Sequence, residues 1–511
     1  MPLPTGGKTK WPPENLAKTY DRYAELAAWY GGDPDVLSER YGSGGVSDRV
    51  DTRYRSSQYR GGLVGAVARM FWGTPPPAGE QRVKLHLPIA GDIASMSADL
   101  LFSEPPTMTV EDEATQARLD QLVSDASIHA TLLESAEVDS ALGDVYLVGG
   151  WDTRVADHPW LRGVHADAVV PEWRGGRLVA ATVWTTLESP DKSVVWRHLE
   201  RHEPGVIYNG LYRGNSTELG VPVDLDERDE TKDLADSGPT NIDRLTVIHV
   251  PNLRPNRLDR SSPLGRSDFS PGVIQLMDAL DETWSSLARE FRLAKARAVV
   301  TADIAQPLGR GQGSKVELDR EIFIPLRIHP DERPSNPVQL IQPLIRVEEH
   351  LAGCRALTDA IIQSTGYSTQ SFGSITADVA MTATEVAQRE RRSYMTRGMK
   401  TLHWGPRVAD AMEMLLALDA AVFGTKVTPE RPQIEFGDAI AENTATTAQT
   451  LSALAQAEAA STETKVRILH PEWDDDAVAE EVARIRVDNG RSVPDPMTVL
   501  TAPGDGQDAG N

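Results

Sequence analysis

The chain has 511 residues, 40% hydrophobic and 25% charged, which is the composition of a globular protein of several domains. Its net charge of −23 argues against a tight static grip on nucleic acid, because such binding depends on cations that displace counterions from phosphates. The charge is compatible with nucleic acid that only passes by. The single cysteine, Cys354, excludes an intramolecular disulfide, and no stretch approaches the roughly 18 apolar residues of a membrane span. With no signal-like apolar segment near Met1, we expect assembly in a reducing cytoplasm.

The first 80 residues are expected to form an arm that contains one helix. Aromatic and aliphatic residues recur at helical spacing within residues 14–30, and Gly31-Gly32 ends the pattern. The rest of the arm is rich in Gly, Ser, Arg and Pro, with arginines near Tyr54 and Tyr59. Basic residues beside aromatic ones can bind nucleic acid, but we favour a surface arm that packs on a neighbouring subunit.

The next 190 residues are predicted to begin with helices and to continue as a sheet. Three helices are expected, at 88–102, 111–124 and 128–141. Strands follow from Gly143 to about Val250, with hairpin turns predicted at Trp173–Arg177 and at Tyr208-Asn209-Gly210. Because no helices alternate with these strands, we expect an antiparallel sheet, with the acidic stretch 224–236 as a surface loop.

Two long amphipathic helices flank a β-rich insert in the middle of the chain. Ser270-Pro271 marks the start of the first helix, since serine caps free N–H groups and proline fits the first turn. This helix is expected to occupy residues 271–297, and the second helix residues 344–366. An almost uncharged loop leads to a third helix, which starts at the capping box Thr382-x-x-Glu385 and should bend at Pro406.

This succession resembles the portal proteins of tailed bacteriophages, and the siphophage type most of all. The resemblance rests on the long helix, the insert, the returning helix, the uncharged loop and the start Thr382-Ala383-Thr384-Glu385-Val386 of a bent helix, and it extends over most of residues 85–490. It implies an α+β fold with an antiparallel-sheet wing, long stem helices, a small β-rich clip, a kinked helix and a helical crown. It also implies a dodecameric ring at one capsid vertex, without catalysis or cofactor, through which DNA enters during packaging and leaves during ejection.

The parts of the portal architecture correspond to consecutive segments of this chain. These are the N-terminal arm and helix 1–80, wing 81–270, stem helix 271–297, clip 298–343, stem return helix 344–366, tunnel loop 367–381, kinked helix and wing closure 382–440, crown 441–489 and disordered tail 490–511. In the crown, Asp474-Asp475-Asp476 is expected to cap a helix rather than to hold a cation. The implied partners are double-stranded DNA in transit, the terminase motor, a head-completion adaptor, and the major capsid and scaffolding proteins. The implied location is the virion, after assembly in the host cytoplasm and without a membrane.

The tunnel loop is the predicted contact with DNA. No lysine or arginine occurs between Arg355 and Arg389, so this part of the chain offers no cation that would hold a phosphate and slow its movement. Small hydroxyl and apolar groups are expected to touch DNA instead, with Phe372 at the tip; the alternative is an ordinary solvated loop. The predicted contact residues are Tyr367, Ser368, Thr369, Gln370, Ser371, Phe372 and Ser374.

A basic band follows the loop directly. In an acidic ring, carboxylates of the next subunit lie near each cation, so we favour inter-subunit ion pairs over DNA contacts as its use. The band consists of Arg389, Arg391, Arg392, Arg397 and Lys400.

The glycine-rich stretch Gly309–Lys315 is predicted to be the tip of the clip. It lacks the spacing of a nucleotide-binding loop, and a strand rather than a helix follows it. The resemblance implies that this tip docks the adaptor, with Arg310, Gln312 and Lys315 as the candidate contacts.

Two other interpretations stay open. A metal-dependent hydrolase would use carboxylates and a histidine of the predicted sheet, although they stand on separate strands without metal-ligand spacing. Those residues are Asp144, Asp152, His165 and Asp167. His198 and His202 are not expected to bind one metal ion together either, because residues four apart on a strand are separated by about 13 Å. The other interpretation is a minor capsid protein without a channel, which its size in solution would distinguish from a ring.

Overall fold

The chain divides into two compact units, Met1–Gly437 and Asp438–Asn511. In the first unit, the computed structural model describes residues 3–41, 70–73, 84–191, 193–294, 297–301, 324–326, 338–341, 345–372 and 383–437. In the second it describes residues 451–452, 455, 460–470, 473 and 475–488. The predictions for the arginine-rich part of the arm, the clip tip, the capping box, the Asp474–Asp476 side chains and the C-terminal tail therefore lie outside the described residues.

Most predicted helices are present within a few residues of the expected bounds. The described α-helices are α1 Ala17–Gly31, α2 Pro34–Tyr41, α3 Ile89–Phe102, α4 Glu113–Asp125, α5 Ile128–Leu142, the stem helix α6 Pro271–Leu293, the return helix α7 Val347–Thr365, the long helix α8 Ala383–Val422, α9 Thr462–Leu469 and α10 Asp475–Asp488. Helix α2 was not predicted. None of these helices combines the length and the apolarity that a membrane-spanning helix requires.

A large antiparallel sheet follows the helices α3 to α5. Its strands run in the order β1-β9-β8-β7-β6-β5, with β10 added to β8. They are β1 Gly7–Lys10, β5 Val169–Arg174, β6 Arg177–Leu187, β7 Val195–Glu203, β8 Val206–Gly214, β9 Glu218–Val223 and β10 Ser237–Pro239. The strand pairs within this sheet are antiparallel, as predicted.

One of the two predicted hairpin turns is confirmed and the other is wrong. Gly175 and Gly176 form the β5–β6 turn with φ of 57° and 78°, which glycine adopts without strain. Asn209-Gly210, by contrast, lies inside β8 and pairs with β7. The chain turns instead at Pro204-Gly205, where Gly205 has a φ of 85°.

The amino end of the chain extends this sheet. Strand β1 pairs with β9, and Trp11 packs edge-on against Trp184 with ring centroids 6.3 Å apart. The Tyr212 hydroxyl donates a hydrogen bond to the Pro4 carbonyl oxygen at 2.6 Å. A Cβ on Gly210 would lie 2.9 Å from Leu3 Cδ1, so this glycine makes room for the N-terminal segment instead of forming a turn.

A second sheet lies at the centre of the first unit. Strand β3, Asp144–Gly150, is buried along most of its length between its antiparallel neighbours β4, Trp160–His165, and β11, Val247–Pro251. It contributes to a core that also takes side chains from α3, α4, α5 and the C-terminal half of α8. A short strand after the long helix, β15, Gln433–Glu435, pairs with β2, Thr107–Thr109.

The stem helix begins as predicted but ends earlier. Ser270 accepts the Val273 N–H on its hydroxyl, and Pro271 is the first helical residue. The helix ends at Leu293, so Arg297 belongs to the first strand of the insert instead. In that insert β12, Arg297–Thr301, pairs in parallel with β13, Ile324–Leu326, and antiparallel with β14, Val338–Ile341. The long helix α8 continues through Pro406.

The second unit contains a small helical pair. Helices α9 and α10 pack through Val466, Val478 and Val482. Both helices fall within the segment 441–489, where a helical crown is expected, and most of residues 441–459 lie outside the described residues.

Candidate functional site

The site lies where α7 ends and residues 367–372 begin. Gly366 closes α7 in the left-handed conformation with a φ of 98°, and the chain then turns Tyr367 into the core, where it is 1% exposed. The Tyr367 hydroxyl donates a hydrogen bond to Asp268 Oδ2 at 2.9 Å. Burial, together with the charge of Asp268, raises the pKa of Tyr367 well above its ordinary value, so the phenol stays protonated.

Asp268 is the centre of a buried polar network. Lys400 of the long helix places Nζ 2.7 Å from Asp268 Oδ2 and 2.6 Å from Ser97 Oγ of α3. Asp268 also accepts the Ser140 hydroxyl at 2.7 Å and the Asn252 amide at 2.9 Å. Burial of an ion pair costs desolvation energy. Here the Ser140 and Asn252 donors offset that cost, because they satisfy the remaining lone pairs of the carboxylate. The network therefore joins α3, α5, the segment before the stem helix and the long helix.

Two further carboxylates lie beside this network. Asp144 at the start of β3 accepts from His249 Nε2 at 2.6 Å, from the Gly265 N–H at 2.7 Å and from the Tyr23 hydroxyl at 3.0 Å. Asp139 accepts only the Trp404 indole N–H at 3.1 Å among the described residues, and its Oδ1 is unsatisfied there. Burial, and then the charge of Asp144, raises the pKa of Asp139 well above its ordinary value. The charge of Lys400 and the Trp404 N–H oppose this shift only in part.

Polar side chains of the long helix tie down the first residues of the loop. Ser393 Oγ accepts the Ser368 N–H at 2.9 Å and lies 2.9 Å from Ser371 Oγ. Thr396 Oγ1 donates to the Gly366 carbonyl oxygen at 2.6 Å. Ser393, Thr396 and Lys400 are spaced by three and four residues and so lie on one face of the helix. This face fixes the loop base to the long helix.

The predicted DNA contacts therefore divide into two groups. Tyr367 and Ser368 are buried in the core, which removes their side chains from the set that could touch DNA in this conformation. Residues Thr369–Phe372 form a short 3-10 turn, and Phe372 is half-buried edge-on against Tyr367 instead of lying at a tip. Ser374 lies outside the described residues.

The predicted basic band also divides, and two of its members are used inside the protomer. Lys400 pairs with Asp268, and Arg397 donates to the carbonyl oxygens of Leu100, at 2.6 Å, and of Gly437. Both side chains therefore have partners within the protomer, which the sequence alone could not show. Arg391 and Arg392 are exposed, and the side chain of Arg389 is outside the described residues.

The residues of the hydrolase interpretation do not come together. Asp144 binds His249, Asp152 pairs with Arg154, and His165 and Asp167 lie at the end of β4 and in the turn after it. In the described part of the chain, no group of three or more His, Cys, Asp or Glu side chains could hold a metal ion. His198 bonds Asn209, whereas His202 bonds Thr246, as expected for two residues far apart on one strand.

A second carboxylate site, which the sequence did not indicate, fastens residues 70–73 and 84–87 to the stem helix. Asp278 accepts the N–H groups of Phe71 at 2.8 Å and of Trp72 at 3.4 Å. Asp281 accepts the Trp72 indole N–H at 3.1 Å and lies 2.7 Å from His86 Nδ1. Burial raises the pKa of Asp278 to about 6. Asp278 and Asp281 are three residues apart and so share one face of the stem helix, but no pattern in the sequence marks that face as the attachment site.

Among curated proteins, none matches the chain significantly. Solved structures with a similar arrangement include the virion of a native gene transfer agent particle, with a TM-score of 0.39, 11% identity, and coverage of 74% of this chain and 89% of the other. The neck of the native particle, computed with C12 symmetry, gives a TM-score of 0.38 at 11% identity, with the same coverage. The neck of the empty particle, computed with C6 symmetry, gives 0.39 at 11% identity, with 75% and 89% coverage.

The family comparison covers almost the whole chain. Residues 10–495 match the model described as phage portal protein, SPP1 Gp6-like. The mixture of helices and antiparallel sheet described above fits the α+β fold expected of a portal. The chain therefore belongs to the SPP1 Gp6-like family of phage portal proteins, whose members are structural proteins and not enzymes.

Proposed function

We propose that this protein is the subunit of a dodecameric portal ring at one vertex of a phage or phage-like capsid. The ring forms the channel through which double-stranded DNA enters during packaging and leaves during ejection. The observation that carries this proposal is the continuous family match over residues 10–495. Terminase supplies the energy, and this chain contributes a rigid conduit.

The helical elements support a conduit. The stem helix has 23 residues and so spans roughly 35 Å, and the return helix packs against it. The long helix of 40 residues then runs back into the core of the protomer, where its C-terminal half is buried. Such long packed helices resist bending, which suits a protein that must keep a fixed bore while a stiff polymer moves past.

Charge supports passage without retention. The net charge of −23 and the absence of lysine and arginine between Arg355 and Arg389 keep strong phosphate contacts away from the loop. We propose that the DNA-facing groups are Gln370, Ser371 and the loop residues after them, including Ser374, since Tyr367 and Ser368 serve the core. The clip tip, with Arg310, Gln312 and Lys315, is proposed to dock the head-completion adaptor.

Assembly is tested by purifying the full chain and measuring its mass by mass photometry together with negative-stain electron microscopy. We expect closed rings of about twelve subunits with a central hole, since heterologous contacts close into a ring. A protein that stays monomeric or dimeric across micromolar concentrations, also with scaffolding protein present, overturns the proposal.

The channel is tested by a charge placed in the loop. Ser374→Lys should leave rings intact and reduce packaged DNA in a terminase-driven packaging assay, because an added cation holds phosphates. Ser374→Ala is the matched control and should package like the wild type. Equal packaging by the lysine variant would show that this loop does not face DNA.

A further inference from the structure

The long helix exposes a row of large apolar side chains on its outer face. Met395 is 63% exposed, Met399 46% and Leu402 74%. Their spacing of four and three residues places them on one face of the helix, with Arg392 three residues before the first. Large apolar side chains that are adjacent on a surface mark an interaction site, whereas scattered ones do not.

The row lies on a firmly packed element. The opposite face of the same helix carries Trp404, Val408, Met412 and Leu415, each at most 1% exposed. The exposed row is therefore held in a fixed orientation and does not belong to a frayed helix end. A rigid surface of this kind loses little conformational freedom when it is covered.

A large cleft adjoins the row. It encloses about 1090 Å³ between α1, the segment 253–271, the end of the return helix and the Arg392–Met399 part of the long helix. Of the carboxylates in the cleft, Asp21 pairs with Arg40 and Glu25 with Arg22, whereas Asp259 accepts a hydrogen bond from the Ser261 hydroxyl. Its apolar lining includes Met395 and Met399, so the row and the cleft form one continuous surface.

Arginines line part of this surface. Arg257 and Arg392 line the cleft, and none of the described residues pairs with either guanidinium. A basic rim around an apolar centre requires a partner with carboxylates around an apolar patch.

A second copy of this chain has that chemistry. Each copy carries 75 acidic and 52 basic residues, so its surface is predominantly acidic. A double helix is a poorer match, because interfaces with DNA are polar and bind phosphates through cations, while the centre of this surface is methionine and leucine. In a heterologous contact one face meets a different face of the next copy, and a basic apolar face against an acidic one satisfies that condition.

We propose that the row Arg392, Met395, Met399 and Leu402, together with the adjoining cleft, is the surface on which an acidic face of a second copy of this chain docks. This inference rests on the proposed ring and identifies one side of its subunit contact. It differs from the sequence-based prediction because apolar burial, and not the inward-facing Arg397 and Lys400, supplies the affinity.

The test replaces exposed side chains, so folding is little affected. Met399→Glu and Leu402→Glu should each lower the ring fraction at least tenfold at a fixed protein concentration, measured by mass photometry of the full chain. Met399→Lys should assemble better than Met399→Glu, because the partner face is acidic. Val155→Glu changes an equally exposed apolar residue, 75% exposed, away from the row and should assemble like the wild type. Thermal unfolding of all variants controls for folding.

The outcomes separate this inference from the proposed function. A wild type that forms no ring overturns both. A ring-forming wild type with unaffected glutamate variants overturns the inference alone. If rings persist but packaged DNA decreases, the row faces DNA and the inference is wrong. A photo-crosslinking residue at position 402 provides a second test. We expect a covalent adduct between two chains, and an adduct with DNA alone would contradict the docking surface.

Discussion

Lys400 Nζ lies 2.7 Å from Asp268 Oδ2, with the lysine side chain 1% exposed and the aspartate side chain fully enclosed. The two residues are separated by 132 positions in the sequence, and their contact fixes the long helix to the segment that leads into the stem helix. The Tyr367 hydroxyl donates a hydrogen bond to the same carboxylate oxygen, so the segment that follows α7 is held at the same point.

Loss of this ion pair is expected to destabilise the protomer strongly. Lys400→Met keeps the length of the side chain but leaves Asp268 without its cation, and removal of one partner of a buried pair costs about 3–5 kcal/mol. The free energy of unfolding, measured by chemical denaturation, should fall by about that amount. Lys426→Met, at an exposed lysine just beyond the same helix, should change it by less than about 0.5 kcal/mol. Equal effects would mean that the buried pair contributes nothing.

Asp278 should give the stem attachment a pH dependence. Its pKa rises from 3.8 to about 6 on folding, which corresponds to roughly 3 kcal/mol. Between these pH values the folded state holds more protons than the unfolded state. The group's contribution to stability is therefore largest below about pH 4 and is lost as the pH rises through about 6.

The Asp278→Asn variant has no such titration. The difference in unfolding free energy between wild type and this variant should shift in favour of the wild type as the pH falls from 7 to 4.5. Urea unfolding at several pH values measures the difference. Asp226→Asn, at an exposed aspartate, supplies the control, and parallel curves for wild type and Asp278→Asn would contradict the assignment.

Gly143 should tolerate no side chain. It ends α5 with a φ of 96°, and a Cβ there would lie 2.4 Å from the Ser267 nitrogen and 2.7 Å from the Arg266 carbonyl carbon. Left-handed strain and a collision with backbone together predict a loss of about 3–5 kcal/mol for Gly143→Ala. Gly175→Ala, where φ is also positive but no atom lies within 4 Å, should lose only about 1–2 kcal/mol. Thermal denaturation of the two variants side by side provides the comparison.

Amide hydrogen exchange should report on the hydrogen bond between Ser368 and Ser393 of the long helix. In Ser393→Ala the Ser368 N–H loses its acceptor, and a lost bond of about 1 kcal/mol should speed local exchange roughly fivefold. Mass spectrometry of a peptide that covers residues 366–372 measures the rate. Thr401→Ala removes a hydroxyl that bonds only within the long helix, to the Gly398 carbonyl oxygen, and should leave that peptide unchanged. No acceleration in Ser393→Ala would show that the loop base is held by packing alone.

Features encoded locally could be predicted from the sequence. The starts and ends of the helices follow from apolar periodicity and from caps, and Ser270-Pro271 behaves as those rules require. The end of the stem helix was misplaced by four residues, because Ala294–Ala296 continue a helical composition while the insert begins a strand at Arg297.

Features that depend on distant segments were missed. Asn209-Gly210 has the composition of a turn. Glycine is needed within that strand because a Cβ at position 210 would collide with Leu3, which packs there from the start of the chain. Lys400 has the appearance of a surface residue of a basic band, and its true environment depends on Asp268 and Ser97 far away in the sequence. Exposed Met395, Met399 and Leu402 were likewise invisible, since a pattern of periodicity does not tell which of two apolar faces is covered.

The enclosed network around Asp268 also constrains how this sequence can diverge. A substitution of Lys400 alone leaves a buried anion unpaired, and a substitution of Asp268 alone leaves a buried cation unpaired. Either single substitution is therefore destabilising and selected against. Replacement of both by apolar residues of similar volume carries no such penalty. Among related chains, the aspartate at position 268 and the lysine at position 400 should therefore be retained together or lost together. The tyrosine at position 367 should be retained where the aspartate is retained, because its hydroxyl donates to that carboxylate.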